Sequence, residues 1–328
     1  MQAILPLAGK GTRLRPHTHT RPKPLLRVGN RPVLDRVIDL LTAAGVDEII
    51  GIMGHLSGSI ETHLAEHHPD LGFIPVEQVE QLGTADAIRL ARPYVSGPVL
   101  IVFVDTLFEA DLGLIETRLD ADGIIWAKEV EDYQRFGVIV QDDDGFMQHI
   151  VEKPSEPISR LANIGLYYIR DYELLFEGID HVMAQPTMLG EYFLTDAFQY
   201  MVDHGSRILT AEVAEWWDCG KQETLLETNH RILQSGGDRP AESGADVEVT
   251  GNVCVGDDVN FEEAVIGPNV SIGSGSTIRR THLSHCIVGE NTILEDCDLQ
   301  HSLIGDHVEA SGLRGSASLG DHTRIQPD

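Results

Sequence analysis

The last third of the chain repeats an aliphatic residue followed by glycine: Val255-Gly256, Ile266-Gly267, Ile272-Gly273, Val288-Gly289, Ile304-Gly305 and Leu319-Gly320. The spacings are roughly six residues, or roughly fifteen to eighteen. That period fits a coil of three short strands wound repeatedly. Each coil points an aliphatic side chain into a narrow core, and small or polar residues make the corners. One coil cannot bury its own apolar face, so such a repeat stands only when stacked on its neighbours. The polar, glycine-containing run from Ser235 to Gly244 marks where this region begins. The chain is therefore expected to divide into residues 1–235 and 236–328.

The first part alternates apolar strands with amphipathic helices, the pattern of an α/β sheet with mainly parallel strands. Ala3 to Leu5 reads as the first strand. Pro32 opens a helix whose apolar residues Val33, Leu34, Val37, Ile38 and Leu41 follow helical spacing, and Gly45 ends it. Glu48 to Met53 and Val99 to Val104 read as strands, and Thr84 to Ala91 as a helix. Asp105 then stands at the carboxyl end of a strand, the edge where open α/β sheets bind ligands.

The first strand runs into Pro6-Leu-Ala-Gly-Lys-Gly-Thr-Arg-Leu-Arg-Pro16, followed by Arg21-Pro-Lys-Pro-Leu25. Glycines let a ligand approach the backbone, and successive N–H groups in such a turn make an anion-binding concavity. Arg13 and Lys23 add positive charge suited to phosphate oxygens. A Walker loop is excluded because Lys10 lies between the glycines, and a dinucleotide fingerprint because Leu14 stands where its third glycine belongs. Gly-x-Gly alone would suit a simple strand-to-loop turn, but with Thr-Arg-Leu-x-Pro and Pro-Lys-Pro-Leu in the same thirty residues it outlines a nucleoside triphosphate site.

Gly9, Gly11, Thr12, Arg13, Leu14, Pro16 and Thr18, then Pro22, Lys23, Pro24 and Leu25, resemble the signature of the sugar-1-phosphate nucleotidyltransferases, the NDP-sugar pyrophosphorylases. The resemblance is closest to glucose-1-phosphate thymidylyltransferases that carry a C-terminal left-handed β-helix of hexapeptide repeats. It implies a Rossmann-like nucleotidyltransferase domain with a mixed, mainly parallel sheet, followed by that β-helix. It also implies attack by a sugar-1-phosphate oxygen on the α-phosphorus of a nucleoside triphosphate, with pyrophosphate leaving. Both reactants are anions, so catalysis needs positioning and positive charge rather than a covalent intermediate.

The resemblance carries roles to particular residues. Leu7, Ala8, Gly9, Gly11, Thr12 and Arg13 would bind the nucleotide, and Arg13 and Lys23 would neutralise the triphosphate. Val102-Phe-Val-Asp105, with Val104 in place of the family's glycine, and Trp216-Trp-Asp-Cys-Gly220 resemble the family's segments bearing metal-binding carboxylates, so Asp105 and Asp218 would hold Mg²⁺, a cation that prefers oxygen ligands. Gln78, Gly83 and Thr84, within Glu77 to Ala85, would receive the base; Gln81 is the alternative amide. A glutamine offers both donor and acceptor, which suits a pyrimidine edge. Lys153 of Val151-Glu-Lys-Pro154 would hold the sugar phosphate, and Gly137, Glu152, Asn163 and Glu191 would frame the hexose. Thr195 and Asp196 read equally well as packing and capping residues.

Substrate expectations follow in order: dTTP with glucose-1-phosphate, then UTP with the same sugar, then GTP with mannose-1-phosphate. A rival reading is a non-catalytic homologue that senses sugar nucleotides. Another assigns acyl transfer to the β-helix through His282, His285, His301, His307 or His322.

The formal charge of −28 disfavours nucleic acid as a partner, because phosphate backbones would be repelled. Lysine is confined to Lys10, Lys23, Lys128, Lys153 and Lys221, so most of the scarce lysines fall within the phosphate and sugar motifs. Acidity of this degree suggests adaptation to high salt, where self-repulsion is screened. Cys219, Cys254, Cys286 and Cys297 show no zinc spacing and read as free thiols. No run is long and apolar enough to span a bilayer. The N-terminus leads directly into strand and glycine loop, so a cytoplasmic, non-membrane protein is expected. Family habit adds a homo-oligomer.

Overall fold

Strand β1 (Gln2–Pro6) buries Ala3, Ile4 and Leu5 completely, as a central strand covered on both faces must. The structure, a computed structural model, describes residues 1–236 and 241–326. The chain folds into two compact units, and each is assembled from two separate stretches. Met1–Gly9 joins Val37–Trp216, and Lys10–Arg36 joins Trp217–Asp328.

In the first unit β1 pairs in parallel with β2 (Glu48–Met53) on one side and β4 (Val99–Val102) on the other, and β2 pairs in parallel with β3 (Gly72–Glu77). The remaining strands are β5 (Gly123–Glu129), β6 (Gly137–Gln141), β7 (Met147–Glu152), β8 (Leu161–Ile169) and β9 (Ile208–Glu212). They complete a nine-stranded sheet in the order β7-β6-β8-β4-β1-β2-β3, with β5 pairing both β8 and β9. β8 runs antiparallel to β4, β5 and β6, and β6 antiparallel to β7, while β5 and β9 are parallel. The sheet is mixed: its parallel part surrounds β1 and its antiparallel part surrounds β8.

Helices α1 (Val33–Ala43) and α2 (Ser57–His67) are followed by α3 (Thr84–Arg89), α4 (Tyr172–Met183) and α5 (Leu194–Asp203). The last three share one core with the sheet, centred on Ile4, Ile88, Ile101, Leu175 and Phe198. The expected helix to Ala91 stops at Arg89 and gives way to a 3₁₀ turn at Arg92–Tyr94. Pro93 has no N–H with which to bond the Arg89 carbonyl, so the α-helical ladder cannot continue through it. The expected strand to Val104 stops at Val102. There β8 is irregular between Asn163 and Tyr167, and the Phe103 amide is taken by the Gly165 carbonyl at 2.9 Å. Asp105 lies beyond the strand, just before Thr106–Glu109.

The second unit contains the left-handed β-helix, three five-stranded parallel sheets to each of which every coil contributes one strand. Its core stacks Val270, Ile272, Ile278, Leu283, Val288, Leu294, Leu299 and Ile304. A Cβ on Gly273 would stand 2.7 Å from Gly289 of the next coil, and one on Gly289 2.5 Å from Gly305. The aliphatic–glycine repeat thus marks where successive coils approach too closely for any side chain. The corners form a second repeat, of left-handed residues. Asp258, Gly275, Asn291, His307 and His322 share one column, and Asn269, His285 and His301 another. Short polar residues and glycine tolerate that conformation best. His285 stacks on His301 and His307 on His322 as a result.

The two compact units do not follow the expected division at residue 235. Lys10–Arg36, helix α6 (Gln222–Gln234) and the β-helix belong together. The loop has only one-turn 3₁₀ segments and a short hairpin, Arg27–Val28 with Arg31–Pro32, so it takes its order from neighbours. Asn229 of α6, 1% exposed, accepts from the Gly29 amide at 2.8 Å and from the Ser271 hydroxyl at 2.9 Å. The Asn30 amide donates to the Ile272 carbonyl at 2.8 Å. The region expected as a linker includes residues 237–240, which lie outside the described residues.

Candidate active site

In the second unit the glycine loop is built around Gly11 at φ 58°. A Cβ there would meet the Thr18 methyl at 2.8 Å and Lys23 Cβ at 3.3 Å, so glycine is needed for both turn and contact. Thr18 Oγ1 donates to the Gly11 carbonyl at 2.8 Å, and the Leu14 amide donates to the same oxygen at 2.9 Å. This network draws Gly11, Thr18 and Lys23 together and leaves Thr12 and Arg13 exposed. Arg13 and Asp218 flank Gly220. A Cβ on Gly220 would lie 3.2 Å from Arg13 Nη2 and 2.6 Å from Asp218 Oδ1.

Asp218 ends the strand Glu215–Asp218, four residues before α6. Its Oδ1 accepts the Gly220 amide at 2.7 Å and its Oδ2 the Thr224 hydroxyl at 3.3 Å. A carboxylate has about four lone-pair sites, so these bonds orient Asp218 and leave acceptor capacity. An all-oxygen donor of this kind fits Mg²⁺.

In the first unit the Leu7 amide extends the β1–β2 ladder by one bond, 2.8 Å to Ile52. A Cβ on Gly54 would come within 2.8 Å of Ala8 Cα, whereas one on Gly9 would meet nothing within 4 Å. The backbone at Gly9 therefore has open space above it. Gln81 is exposed and donates to the Ala8 carbonyl at 2.5 Å.

Gln78 is buried, and its Nε2 donates to Asp86 Oδ2 at 3.2 Å. Asp86, on the buried face of α3, thereby fixes which end of the Gln78 amide is donor and which acceptor. Gly83 has φ 119°, and a Cβ on it would strike the Tyr192 backbone, 2.6 Å from its nitrogen. Tyr192 donates to the Leu82 carbonyl at 2.8 Å, Ala85 donates to the Tyr192 carbonyl at 3.0 Å, and Leu194 donates to Thr84 Oγ1 at 2.9 Å. The Thr84 hydroxyl is thus a clamp that ties the Leu82–Ala85 segment to the start of α5.

Gly137, Glu152, Lys153 and Asn163 do come together. Asn163 Nδ2 donates to the Gly137 carbonyl at 2.8 Å, and the Tyr167 hydroxyl donates to Asn163 Oδ1. Thr195 Oγ1 donates to Glu152 Oε2 at 3.2 Å, and Lys153 Nζ lies 3.7 Å from Glu152 Oε1 and 4.8 Å above the Phe193 ring. A Cβ on Gly137 would lie 3.0 Å from Glu152 Oε2 and 2.7 Å from the Thr195 methyl. Burial pushes the Glu152 carboxyl above its ordinary range, against the opposing pull of Lys153. Burial and the charges of Glu152 and Asp105 push the Tyr167 hydroxyl up as well. Glu191 is exposed in the Met188–Glu191 turn, and its charge is felt at Glu152.

Sequence reasoning assigned no role to Asp86, took Tyr167 only as the end of a sugar-contacting segment that starts at Asn163, and left Thr195 between packing and function. Each positions a residue that it did name. The signals were present: a carboxylate on an otherwise apolar helix face, a tyrosine in Asn163-Ile-Gly-Leu-Tyr167 and a threonine in Gly190-Glu-Tyr-Phe-Leu-Thr-Asp196.

Residues 2–235 match the family model described as nucleotidyl transferase. The low-salt glycan biosynthesis nucleotidyltransferase Agl11 of Haloferax volcanii is 32% identical over 93% of this chain and 92% of its own length. A glucose-1-phosphate thymidylyltransferase of Streptomyces antibioticus is 28% identical over 99% of both chains. A solved structure of UDP-glucose pyrophosphorylase with UDP-glucose superposes with a TM-score of 0.63 at 22% identity. It covers 71% of this chain and 98% of its own. Among the described residues no helix is long and apolar enough to cross a membrane.

Proposed function

Because the chain belongs to the nucleotidyl transferase family, we propose that it transfers a thymidylyl group from dTTP to glucose-1-phosphate, releasing pyrophosphate and forming a sugar nucleotide. The observation that carries the base assignment is the Gln78–Asp86 bond. With Nε2 committed to a carboxylate, Gln78 presents Oε1 as an acceptor, which suits the N3–H of thymine or uracil and disfavours cytosine and adenine, whose ring nitrogens there carry no proton. The full-length thymidylyltransferase relative favours dTTP. UTP is the second reading, since uracil presents the same edge.

In this reading the Gly9–Gly11 backbone receives the triphosphate, and Arg13 and Lys23 neutralise charge that develops on the phosphoryl oxygens. Lys153 holds the sugar phosphate, so that its oxygen is aligned for attack on the α-phosphorus. Glu152, oriented by Thr195, and Asn163, oriented by Tyr167, receive hexose hydroxyls over the bare Gly137 backbone. Asp105 and Asp218 are each carboxylates of the kind that would take Mg²⁺, and the cation would supply further neutralisation of the phosphates. Each residue's task is binding, orientation or charge; none forms a covalent intermediate.

Pyrophosphate release is measured with Mg²⁺ across dTTP, UTP, CTP, ATP and GTP against glucose-, galactose-, mannose- and N-acetylglucosamine-1-phosphate, at low and at molar salt. The expected maximum is dTTP with glucose-1-phosphate. Turnover with ATP or CTP above dTTP and UTP refutes the Gln78 argument. No release in any combination at either salt refutes catalysis and leaves a sugar-nucleotide sensor.

A further inference from the structure

Glu290, Asp306 and Asp321 occupy the same register position in three successive coils of the β-helix, each directly after a glycine of the repeat. Asp306, 7% exposed, accepts the Glu290 amide on Oδ1 at 2.9 Å, and its own amide donates to Asp321 Oδ1 at 2.8 Å. Those bonds complete the coil stacking, but they also line up three carboxylates at the spacing of adjacent strands, about 4.8 Å. Like charges so close repel unless cations intervene, most strongly at the buried Asp306 in the middle of the column.

The cations come from the loop that carries Lys23. Arg21 pairs with Asp306 and reaches Asp321 at 4.0 Å. Arg27 pairs with Glu290 at 2.7 Å and lies 3.6 Å from Asp306. Burial alone would lower the Arg21 pKa; the Asp306 carboxylate outweighs it and holds the guanidinium above its ordinary value. The two arginines bracket Lys23 in the sequence, and Lys23 is flanked by Pro22 and Pro24, whose rings fix φ. Pinning Arg21 and Arg27 therefore restricts where the Lys23 stem can go, with little slack between.

We propose that the carboxylate column Glu290–Asp306–Asp321, acting through Arg21 and Arg27, positions Lys23 for the triphosphate, so that the β-helix is part of the nucleotidyl-transfer machinery. Arg21 and Arg27 are positioning residues. Their charge is committed to the column, and the phosphate-facing work is left to Lys23 and Arg13. The inference rests on the proposed role of Lys23.

The test compares the full-length parent, Asp306→Asn, Arg21→Ala and the double variant, with dTTP and glucose-1-phosphate as probes. Asp306→Asn keeps an oxygen acceptor for the Glu290 amide and removes only the charge, so the coils remain stacked. Arg21→Ala leaves the β-helix sequence intact. Each single variant is expected to raise KM for dTTP about tenfold while KM for glucose-1-phosphate stays within about twofold. The double variant is expected to be no worse than Arg21→Ala, because the two side chains act as one unit. Hydrogen exchange at the Leu25 and Leu26 amides, which bond to Pro22 and Lys23, should accelerate about tenfold in Asp306→Asn. A folded Asp306→Asn enzyme with unchanged dTTP KM overturns the proposal, as does additivity in the double variant. Loss of activity in Arg21→Ala alone would instead place Arg21 on the phosphates. If the parent turns over no substrate pair, the proposed function fails, and unchanged loop exchange in Asp306→Asn then separately rejects the anchor.

Discussion

Acidification should destabilise the unit that holds the glycine loop, through a single histidine. His17 is 3% exposed, with Nε2 3.1 Å from the Ser318 hydroxyl. Burial pushes its pKa from 6.5 down to about 4; Asp321 pulls it up and Arg21 pushes it down. Above pH 6.5 the ring is neutral in both folded and unfolded chains and the linkage contributes nothing. Between pH 6.5 and about 4 the unfolded chain takes up a proton that the folded chain refuses, so stability falls as pH falls and levels off below about 4. At about 1.36 kcal/mol per unit, the full difference is about 3 kcal/mol. The assay is urea unfolding at about pH 7 and about pH 4.5 for the parent and His17→Gln, whose amide can still bond Ser318 but does not titrate. The parent should lose about 2 kcal/mol more than the variant between the two pH values. Any pH-independent cost of the substitution cancels in that difference. Equal losses in the two proteins would refute the assignment of a protonation penalty to this ring.

Gly137→Ala places a methyl between Glu152 and Thr195, and should raise KM for the sugar phosphate by about tenfold or more while KM for the nucleotide stays within about twofold, read by steady-state kinetics. Gly83→Ala drives a Cβ into the Tyr192 backbone at φ 119°, and should cost at least about 1–3 kcal/mol in chemical denaturation and weaken nucleotide binding by calorimetry. Thr195→Val removes the donor to the half-buried Glu152 carboxylate, and should lower kcat/KM for the sugar phosphate by about tenfold with the dTTP value little changed. Lys153→Ala and Asp218→Asn should each lower kcat by about a hundredfold or more; parental turnover in either would remove that residue from the mechanism.

The strands around β1 and the coils of the β-helix were readable in the chain because their causes are local. An unbroken apolar run such as Ala3 to Leu5 serves a strand buried on both faces, and the glycines of the repeat sit where neighbouring coils leave no room. Motif residues were readable too, since Gly11 needs its left-handed turn whatever lies beyond it. The end of β4 was not readable. It depends on Gly165, some sixty residues later, taking the Phe103 amide. The orientation of the Gln78 amide was hidden for the same reason, since it depends on Asp86 from the buried face of α3.

The two architectures and the nucleotidyl transferase family were legible in the chain alone, because periodicity, turn chemistry and motif spacing are properties of adjacent positions. That the loop bearing Lys23 groups with the β-helix is visible only once the chain is folded. The grouping is made by Arg21, Arg27 and Asn30 meeting Asp306, Glu290 and the Ile272 carbonyl, partners some 240 to 285 residues away. Pairing of buried charge at such separations leaves no periodic trace in the chain, since each partner alone reads as an ordinary surface residue.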